Sequence, residues 1–369
     1  MTNNSERKLQ YLLVGILVCL GLLRLLSLGL YPVADTTEAR YAEIARLMFS
    51  SDNWITPQIE LGRPFWAKPP LSTWLSAFSF KLFGVHEFAA RLPSFLLAVT
   101  IAGLVFSWAK KIKGTTYGLA SVVVLSTSAV FFISSGAVMT DPALLLGTTL
   151  CMIAFYRAVD PQPSANRVWG YLFFLGLAIS LLAKGPVGIV LTFLPIGAWV
   201  LIHRNWKQIW HGLPWFRGML LTAALSMPWY LLAEQQTPGF LEYFLIGEHW
   251  KRFVVAGWQG DLYGSAHSRA MGTIWIYWFI SAIPWSFMIL FALFKRHTRQ
   301  HVLAVLKETP SLTSYLLVWT CTPMVFFTLA GNILWTYVLP GMPAFAMLVA
   351  AQWVRAPSSA ADEDDQTLH

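Results

Sequence analysis

Charge is scarce in this chain: only 12% of its 369 residues are Asp, Glu, Lys or Arg, against 56% hydrophobic residues. With a mean hydropathy of +0.56, a chain of this length is too apolar to be soluble and reads as a polytopic membrane protein. Cysteine is rarer still. Cys19, Cys151 and Cys321 all fall inside apolar runs, at spacings that define no pairing. They therefore inform neither redox compartment nor metal binding, and read as packing residues. HExxH, paired CxxC, P-loop and Rossmann glycine patterns are all missing, so zinc protease, nucleotide hydrolase and nicotinamide enzyme lack support. Nor do the basic residues behind the net charge of +8 gather in one domain, which argues against nucleic acid as a partner.

What the sequence does have is membrane-length apolar runs. They lie at 10–30, 88–109, 115–134, 141–158, 168–183, 185–202, 216–233, 271–294, 312–330 and 334–353, about ten helical spans of about 30 Å of hydrocarbon each. The fifth and sixth are separated only by Lys184, Gly185 and Pro186. The first follows Arg7 and Lys8 as a signal peptide would. It runs on too long for an h-region, however, and no small-x-small site precedes Asp35, so it reads as an uncleaved first helix.

Basic residues set the orientation. With the N-terminus inside, the inside loops collect Arg7 and Lys8; Lys110, Lys111 and Lys113; Arg157 and Arg167; Arg204, Lys207 and Arg217; Lys295, Arg296, Arg299 and Lys307; and Arg355. The opposite side holds about ten basic against about eleven acidic residues, so both termini are expected in the cytoplasm. Residues 1–355 read as one transmembrane domain with two outer loops, 31–87 and 234–270. The tail 356–369, carrying Asp362 to Asp365, reads as a disordered cytoplasmic end. This orientation puts the isolated acids and bases, those without a topological purpose, on one face of the membrane.

The densest of these tracts runs from Asp35 to Leu71 and holds Asp35, Glu38, Arg40, Glu43, Arg46, Arg63 and Lys68 among Trp54, Phe65 and Trp66. Its first half has apolar residues at helical spacing, with Tyr41, Ile44, Ala45 and Met48 as the buried stripe and Thr36 or Thr37 as N-cap, which predicts a short amphipathic helix on the membrane surface. Asp35 or Glu38 is either a general base or a helix N-terminal charge. Lys68, followed by two stiffening prolines, is either a presented ammonium or a snorkelling lysine. Asp141, before Pro142, is either a site acid or an ordinary cap. Lys184 interrupts an apolar stretch and is either functional or snorkelling. The loop EYFLIGEHWKRF carries Glu242, Glu248, His249, Lys251 and Arg252, with Asp261 and His267 beyond, a set that could hold phosphate or contribute to a metal site. Arg24, inside the first span, is expected to face the bundle interior.

Several of these motifs together carry a resemblance: EARYAEIARLM, NWITP, KPPLSTW with LFG and RLPS, MTDP, AKGP, MPWYLL, EYFLIGEHWKRF and LAGNILWTYVLPGMPAFAML. From about residue 31 to 350 the chain resembles bacterial polyprenyl-phosphate-sugar-dependent glycosyltransferases of the GT-C class, the family of the lipid A aminoarabinose transferase and the protein mannosyltransferases. The resemblance implies an all-α GT-C-like bundle in the bacterial inner membrane, with its active site on the periplasmic side. It implies inverting sugar transfer from an undecaprenyl-phosphate donor to an envelope lipid or glycan acceptor, with membrane lipids as its surroundings. By the same resemblance Asp35 is the base, with Glu38 beside it and Asp141 as a second acidic contact. Lys68, Lys184, Arg252 and Arg40 are partners of the donor phosphate, and His249 and Tyr337 line the site. In the aminoarabinose branch a Glu directly before the KP lysine ligates a metal together with the loop histidine. Here Ala67 takes that place, which leaves His249 as a candidate ligand and a divalent metal as an open expectation. Asp35, Lys68 and Arg252 are expected to face one outward-opening cavity. The competing classes are a lipid or sugar transporter or flippase, and an inactive membrane scaffold; transporters spread polar residues through their spans and often repeat a half, and neither feature is evident.

Overall fold

The computed structural model describes residues 3–159, 167–204, 206, 210, 212–264, 267–294 and 311–354. The tail read as disordered and the basic residues Lys207, Lys295, Arg296, Arg299, Lys307 and Arg355 lie outside the described residues. Each predicted apolar run coincides with helix: α1 Asn3–Ser27, α4 Glu87–Lys113, α5 Thr115–Thr127 with α6 Ala129–Ser134, α7 Asp141–Ala158, α8 Arg167–Lys184, α9 Pro186–His203, α10 Trp215–Gln236, α11 Thr273–Ser281 with α12 Trp285–Phe294, α13 Leu312–Thr328, and a 3-10 stretch Trp335–Gly341 leading into α14 Met342–Trp353. Among the described residues α1, α4, α8 and α9 are each long and apolar enough to cross a membrane unaided, and the bent pair α11–α12 makes a fifth.

Three runs expected as continuous spans are broken. α5 ends at Ser128, and the backbone N–H of Ala129 donates to the carbonyl of Ile283 (3.1 Å) in the corner where α11 and α12 meet at 116°. Trp285 Nε1 donates to Thr127 Oγ1 (2.9 Å) across the same junction. The two breaks thus satisfy each other, which is what apolar surroundings demand of interrupted backbone. The third break, the 3-10 stretch, contains Pro340, whose missing N–H and ring disfavour a helix interior.

The core is formed by α4, α5, α7, α8, α9, α13 and α14. α7 and α8 approach so closely at Gly147 and Gly176 that a Cβ on Gly176 would meet the carbonyl of Gly147 at 2.8 Å, the small-residue contact by which membrane helices pack. Buried aromatic hydroxyl and indole groups find backbone carbonyls: Tyr117 to Met347 (2.9 Å), Tyr315 to Met152 (2.8 Å) and Trp319 to Pro340 (2.7 Å). Of the cysteines only Cys151 packs in this core; Cys19 and Cys321 are exposed, contrary to the packing role expected of all three.

At one end of the bundle sits a cap of two amphipathic helices, α2 Thr36–Ser51 and α3 Leu71–Phe83, with a hairpin of β1 Gln58–Glu60 and β2 Arg63–Pro64 between them. α2 buries Ile44, Ala45, Leu47 and Met48. Tyr41, expected in that stripe, is only half-buried and lines a cavity. The end of α10 and the second outer tract close over the first through Trp229 Nε1 to the Ile55 carbonyl (2.8 Å), Trp66 Nε1 to Thr237 Oγ1 (3.1 Å) and Tyr263 Oη to the Pro64 carbonyl (2.8 Å).

Candidate active site

The cap is anchored at its start by an arginine the sequence reading did not single out. Arg91, at the head of α4 and fully buried, grips Glu38 with Nε to Oε1 and Nη2 to Oε2, both 2.8 Å. It also donates to the carbonyls of Leu28 (2.8 Å), Tyr31 (2.7 Å) and Pro32 (3.2 Å), and its guanidinium lies 3.9 Å from the Tyr31 ring centroid. Glu38 Oε1 accepts in addition from Val138 N (3.0 Å). One ion pair therefore joins the end of α1, the start of α2, α4 and the approach to α7, with both oxygens of Glu38 engaged.

Asp35 stands one residue before α2. It, rather than Thr36 or Thr37, is the N-cap: Oδ1 accepts from Thr37 N (2.9 Å) and Glu38 N (3.1 Å). Oδ2 has no hydrogen-bond partner among the described residues, and the side chain is exposed on the wall of a cavity of about 490 Å³. Capping and a chemical role are thus compatible in one carboxylate, one oxygen for each.

Deeper in this cavity the cations are held by carboxylates. Lys68 Nζ donates to Glu248 Oε1 (2.8 Å) and to the Ala67 carbonyl (2.8 Å). Arg252 Nη1 donates to Glu248 Oε2 (2.7 Å) and Oε1 (3.0 Å), and lies 3.2 Å from Asp261 Oδ2. On the facing side Lys184 Nζ donates to Asp141 Oδ1 (2.8 Å) and sits 5.1 Å from the centroid of the Tyr337 ring. Asp141 does not cap α7, which begins without a side-chain cap at Thr140, and Lys184, 9% exposed, does not snorkel. Arg40 also lines the cavity and has no ion pair among the described residues.

These surroundings tune the groups. Burial pulls the Lys68 ammonium below its ordinary range, and Glu248 only partly offsets that. Burial acts to raise Glu248, but Lys68 and Arg252 outweigh it and hold the carboxyl below the usual range. Burial lowers His249, favouring the neutral ring. It also raises Tyr41, with Asp141 and Glu248 adding to it, so the cavity-lining phenol stays protonated.

The segment read as a loop is helical, with a π-helix Tyr243–Lys251 between turns at Phe240–Glu242 and Arg252–Val254. A π turn brings i and i+5 into line. The rings of Phe244 and His249 meet accordingly at 4.5 Å, with His249 Nδ1 2.8 Å from the Phe244 carbonyl. His249 Nε2 faces the Lys184 carbonyl at 3.1 Å. Gly185 permits that approach: its φ is +76°, and a Cβ there would strike the Phe244 ring.

The residues present do not fit a metal. A structural or catalytic zinc needs three or four protein ligands. Here one imidazole nitrogen and one carbonyl stand together, Ala67 offers no carboxylate, and no group of three His, Cys, Asp or Glu ligands occurs among the described residues.

Asp35, Glu38, Arg40 and Lys68 line the large cavity together with Asp141, Lys184, Arg252 and Tyr337. His249 lines a smaller adjoining pocket of about 90 Å³ that shares Lys68, Asp141, Lys184, Arg252 and Tyr337. Every residue given a role by the resemblance is therefore brought to one place, while Glu242 and Lys251 of the same segment line neither cavity; Arg24 reaches it too, tied to Ser135 Oγ (3.3 Å) and the Ile133 carbonyl (2.7 Å). Sequence reasoning missed Arg91 and the weight of Glu248. It also missed Asn332, which binds the carbonyls of Arg252 (2.6 Å) and Val255 (2.9 Å) and accepts from Gly257 N (3.1 Å), fixing the end of the arginine's segment.

Residues 9–244 match the model of the dolichyl-phosphate-mannose-protein mannosyltransferase family. The chain is 30% identical over 349 residues, 92% of its length and 59% of the relative's, to an undecaprenyl phosphate-alpha-4-amino-4-deoxy-L-arabinose arabinosyl transferase of Enterobacter sp. strain 638. It is 30% identical to one of the same name from Aeromonas salmonicida, over 89% and 58% of the two chains. It thus spans less than two thirds of the length of the curated relatives it matches. The fold is that of ArnT from Cupriavidus metallidurans, solved bound to undecaprenyl phosphate, with a TM-score of 0.80 at 22% identity over 96% of this chain and 61% of that one. An Archaeoglobus fulgidus oligosaccharyltransferase is more distantly alike, with a TM-score of 0.57 at 11% identity over 93% and 50%. The chain belongs to the dolichyl-phosphate-mannose-protein mannosyltransferase family.

Proposed function

We propose that this chain, as a member of that family, is a membrane glycosyltransferase that moves a sugar from an undecaprenyl-phosphate donor to an envelope lipid or glycan at the periplasmic face of the inner membrane. The observation that carries this reading is the meeting of Lys68, Lys184 and Arg252 in one cavity with Asp35 on its wall. A volume of about 490 Å³ falls in the range of small-molecule sites, and partly buried cations are suited to a phosphate entering from lipid. The names of the relatives make 4-amino-4-deoxy-L-arabinose the first donor sugar to test.

In the reaction, Asp35 accepts the proton of the acceptor hydroxyl as that oxygen bonds to the sugar C1. The bond from C1 to the phosphate oxygen breaks, the electron pair leaves with undecaprenyl phosphate, and Lys68, Arg252 and Lys184 stabilise the charge it gains. Attack opposite the leaving group inverts the configuration at C1. The orientation, with cavity outside and N-terminus inside, is supported by the lysines Lys110, Lys111 and Lys113 near the end of α4 far from Arg91 and the cap.

The test is transfer of labelled sugar from a panel of undecaprenyl-phosphate sugars to envelope lipid extracts by the purified protein. Transfer from one donor identifies it; no transfer from any donor would count for the transporter or scaffold readings.

A further inference from the structure

We infer that Glu248 is the positioning residue that sets Lys68 and Arg252 as one receptor for the donor phosphate, and that its ion pairs join the two outer tracts where a metal would otherwise do so. The inference rests on the proposed function for the identity of the phosphate. The resemblance carried a Glu before the KP lysine as a metal ligand, and position 67 is a buried Ala whose carbonyl accepts from Lys68. With only His249 Nε2 and the Lys184 carbonyl facing each other, the donor set is too small to hold zinc. A metal would link the segment at 67–68, before α3, to the π-helical segment at 249. Glu248 makes that link instead, 2.8 Å to Lys68 across the two tracts and 2.7 Å to Arg252 one turn on.

The geometry is that of a hub. The Glu248 side chain is only 1% exposed, and a single oxygen, Oε1, accepts from both cations. Two cations brought to one oxygen repel each other without it, and the chain continues to Asp261 on the far side of Arg252. With one proton on Glu248 and one on the Ala67 carbonyl, Lys68 keeps one further donor position and Arg252 further N–H groups, so the pair can take an oxyanion while Glu248 stays in place. Glu248 itself does not touch the reacting atoms.

The experiment has two arms. In the first, thermal unfolding of the purified full chain is followed with a strong zinc chelator and with added zinc. An unchanged Tm is expected; a fall with chelator restored by zinc would overturn the inference. In the second, binding of undecaprenyl phosphate is titrated for wild type, Glu248→Gln and Glu248→Asp. Glu248→Gln is expected to weaken binding by at least about tenfold, with KM for the donor rising more than kcat falls, and Glu248→Asp to recover part of it. Equal affinity of wild type and Glu248→Gln would overturn the inference. Should Glu248→Gln prove too unstable to purify, Asp261→Asn, which loosens only the outer contact of Arg252, is expected to weaken binding by a smaller factor, and unchanged affinity there would overturn it. No binding of undecaprenyl phosphate by wild type would instead strike the proposed function.

Discussion

Arg91 and Glu38 form a bidentate ion pair, both contacts 2.8 Å, with the guanidinium wholly buried and donating to three further carbonyls. Two loops and two helices meet at this pair, so its first task is to hold the cap over the bundle. Removing one partner of such a pair costs about 3–5 kcal/mol. Arg91→Ala is expected to unfold at a markedly lower temperature than wild type, and Glu38→Gln to lose stability before it loses turnover per folded molecule. Unfolding scans paired with assays on the folded fraction check this; a Glu38→Gln protein of wild-type Tm without activity would return Glu38 to the chemistry.

Lys184 and Asp141 should behave as a coupled pair. Lys184→Ala leaves a nearly buried carboxylate unpaired, a penalty of about 1–3 kcal/mol or more for a charged group, and Asp141→Ala strands the ammonium. The double variant is expected to be less destabilised than the two single losses added together, and a double-mutant cycle on thermal stability measures the difference. Additive losses would mean that the 2.8 Å contact contributes little.

Donor binding should fall at high pH earlier than an ordinary lysine would require. Burial lowers the Lys68 pKa from its usual 10.5, so the cation is present below the lowered value and is lost as pH rises through it. Affinity for undecaprenyl phosphate is therefore expected to decline below pH 10.5 in wild type. In Lys68→Arg, whose guanidinium stays charged, that alkaline decline should move upward. An unchanged alkaline limb in Lys68→Arg would assign the titration to another group.

Gly185→Ala should be strongly destabilising. Gly185 sits at φ +76° and ψ −148°, a region open essentially to glycine alone and costing another residue about 1–3 kcal/mol, and the added Cβ would strike the Phe244 ring and stand 3.3 Å from His249, adding about 1–3 kcal/mol of overpacking. The variant is expected to lose both stability and donor affinity, since Phe244 and His249 belong to the segment that carries Glu248 and Arg252.

Much of the site was legible because ionisable residues stand out in an apolar chain. Asp35, Arg40, Lys68, Asp141, Lys184, His249 and Arg252 could each be singled out before their neighbours were known, Tyr337 came only with the resemblance, and all reach one cavity or the pocket beside it. Their partners were not legible. Arg91 sits at the head of a span, where an arginine reads as an interfacial flank, and only the fold brings Glu38 to it. Glu248 was one of several charges in its segment; its i,i+4 spacing to Arg252 is an ordinary helical one, but its contact with Lys68, 180 residues away in the chain, comes only with the fold. The break at Ser128 lies in SVVVLSTSAVFFIS, without glycine or proline to mark it, and exists because Ile283 supplies the carbonyl that Ala129 needs.

The most direct measurement is sugar transfer from an undecaprenyl-phosphate donor by wild type and by Asp35→Asn. Asn caps helices about as well as Asp, so the contacts of Oδ1 with Thr37 N and Glu38 N survive and only the basic carboxylate is lost. The variant is expected to keep its Tm and its donor affinity while kcat falls by about 10²–10⁴. Undiminished turnover in Asp35→Asn would contradict the assignment of the base, and with it the reaction proposed for this cavity.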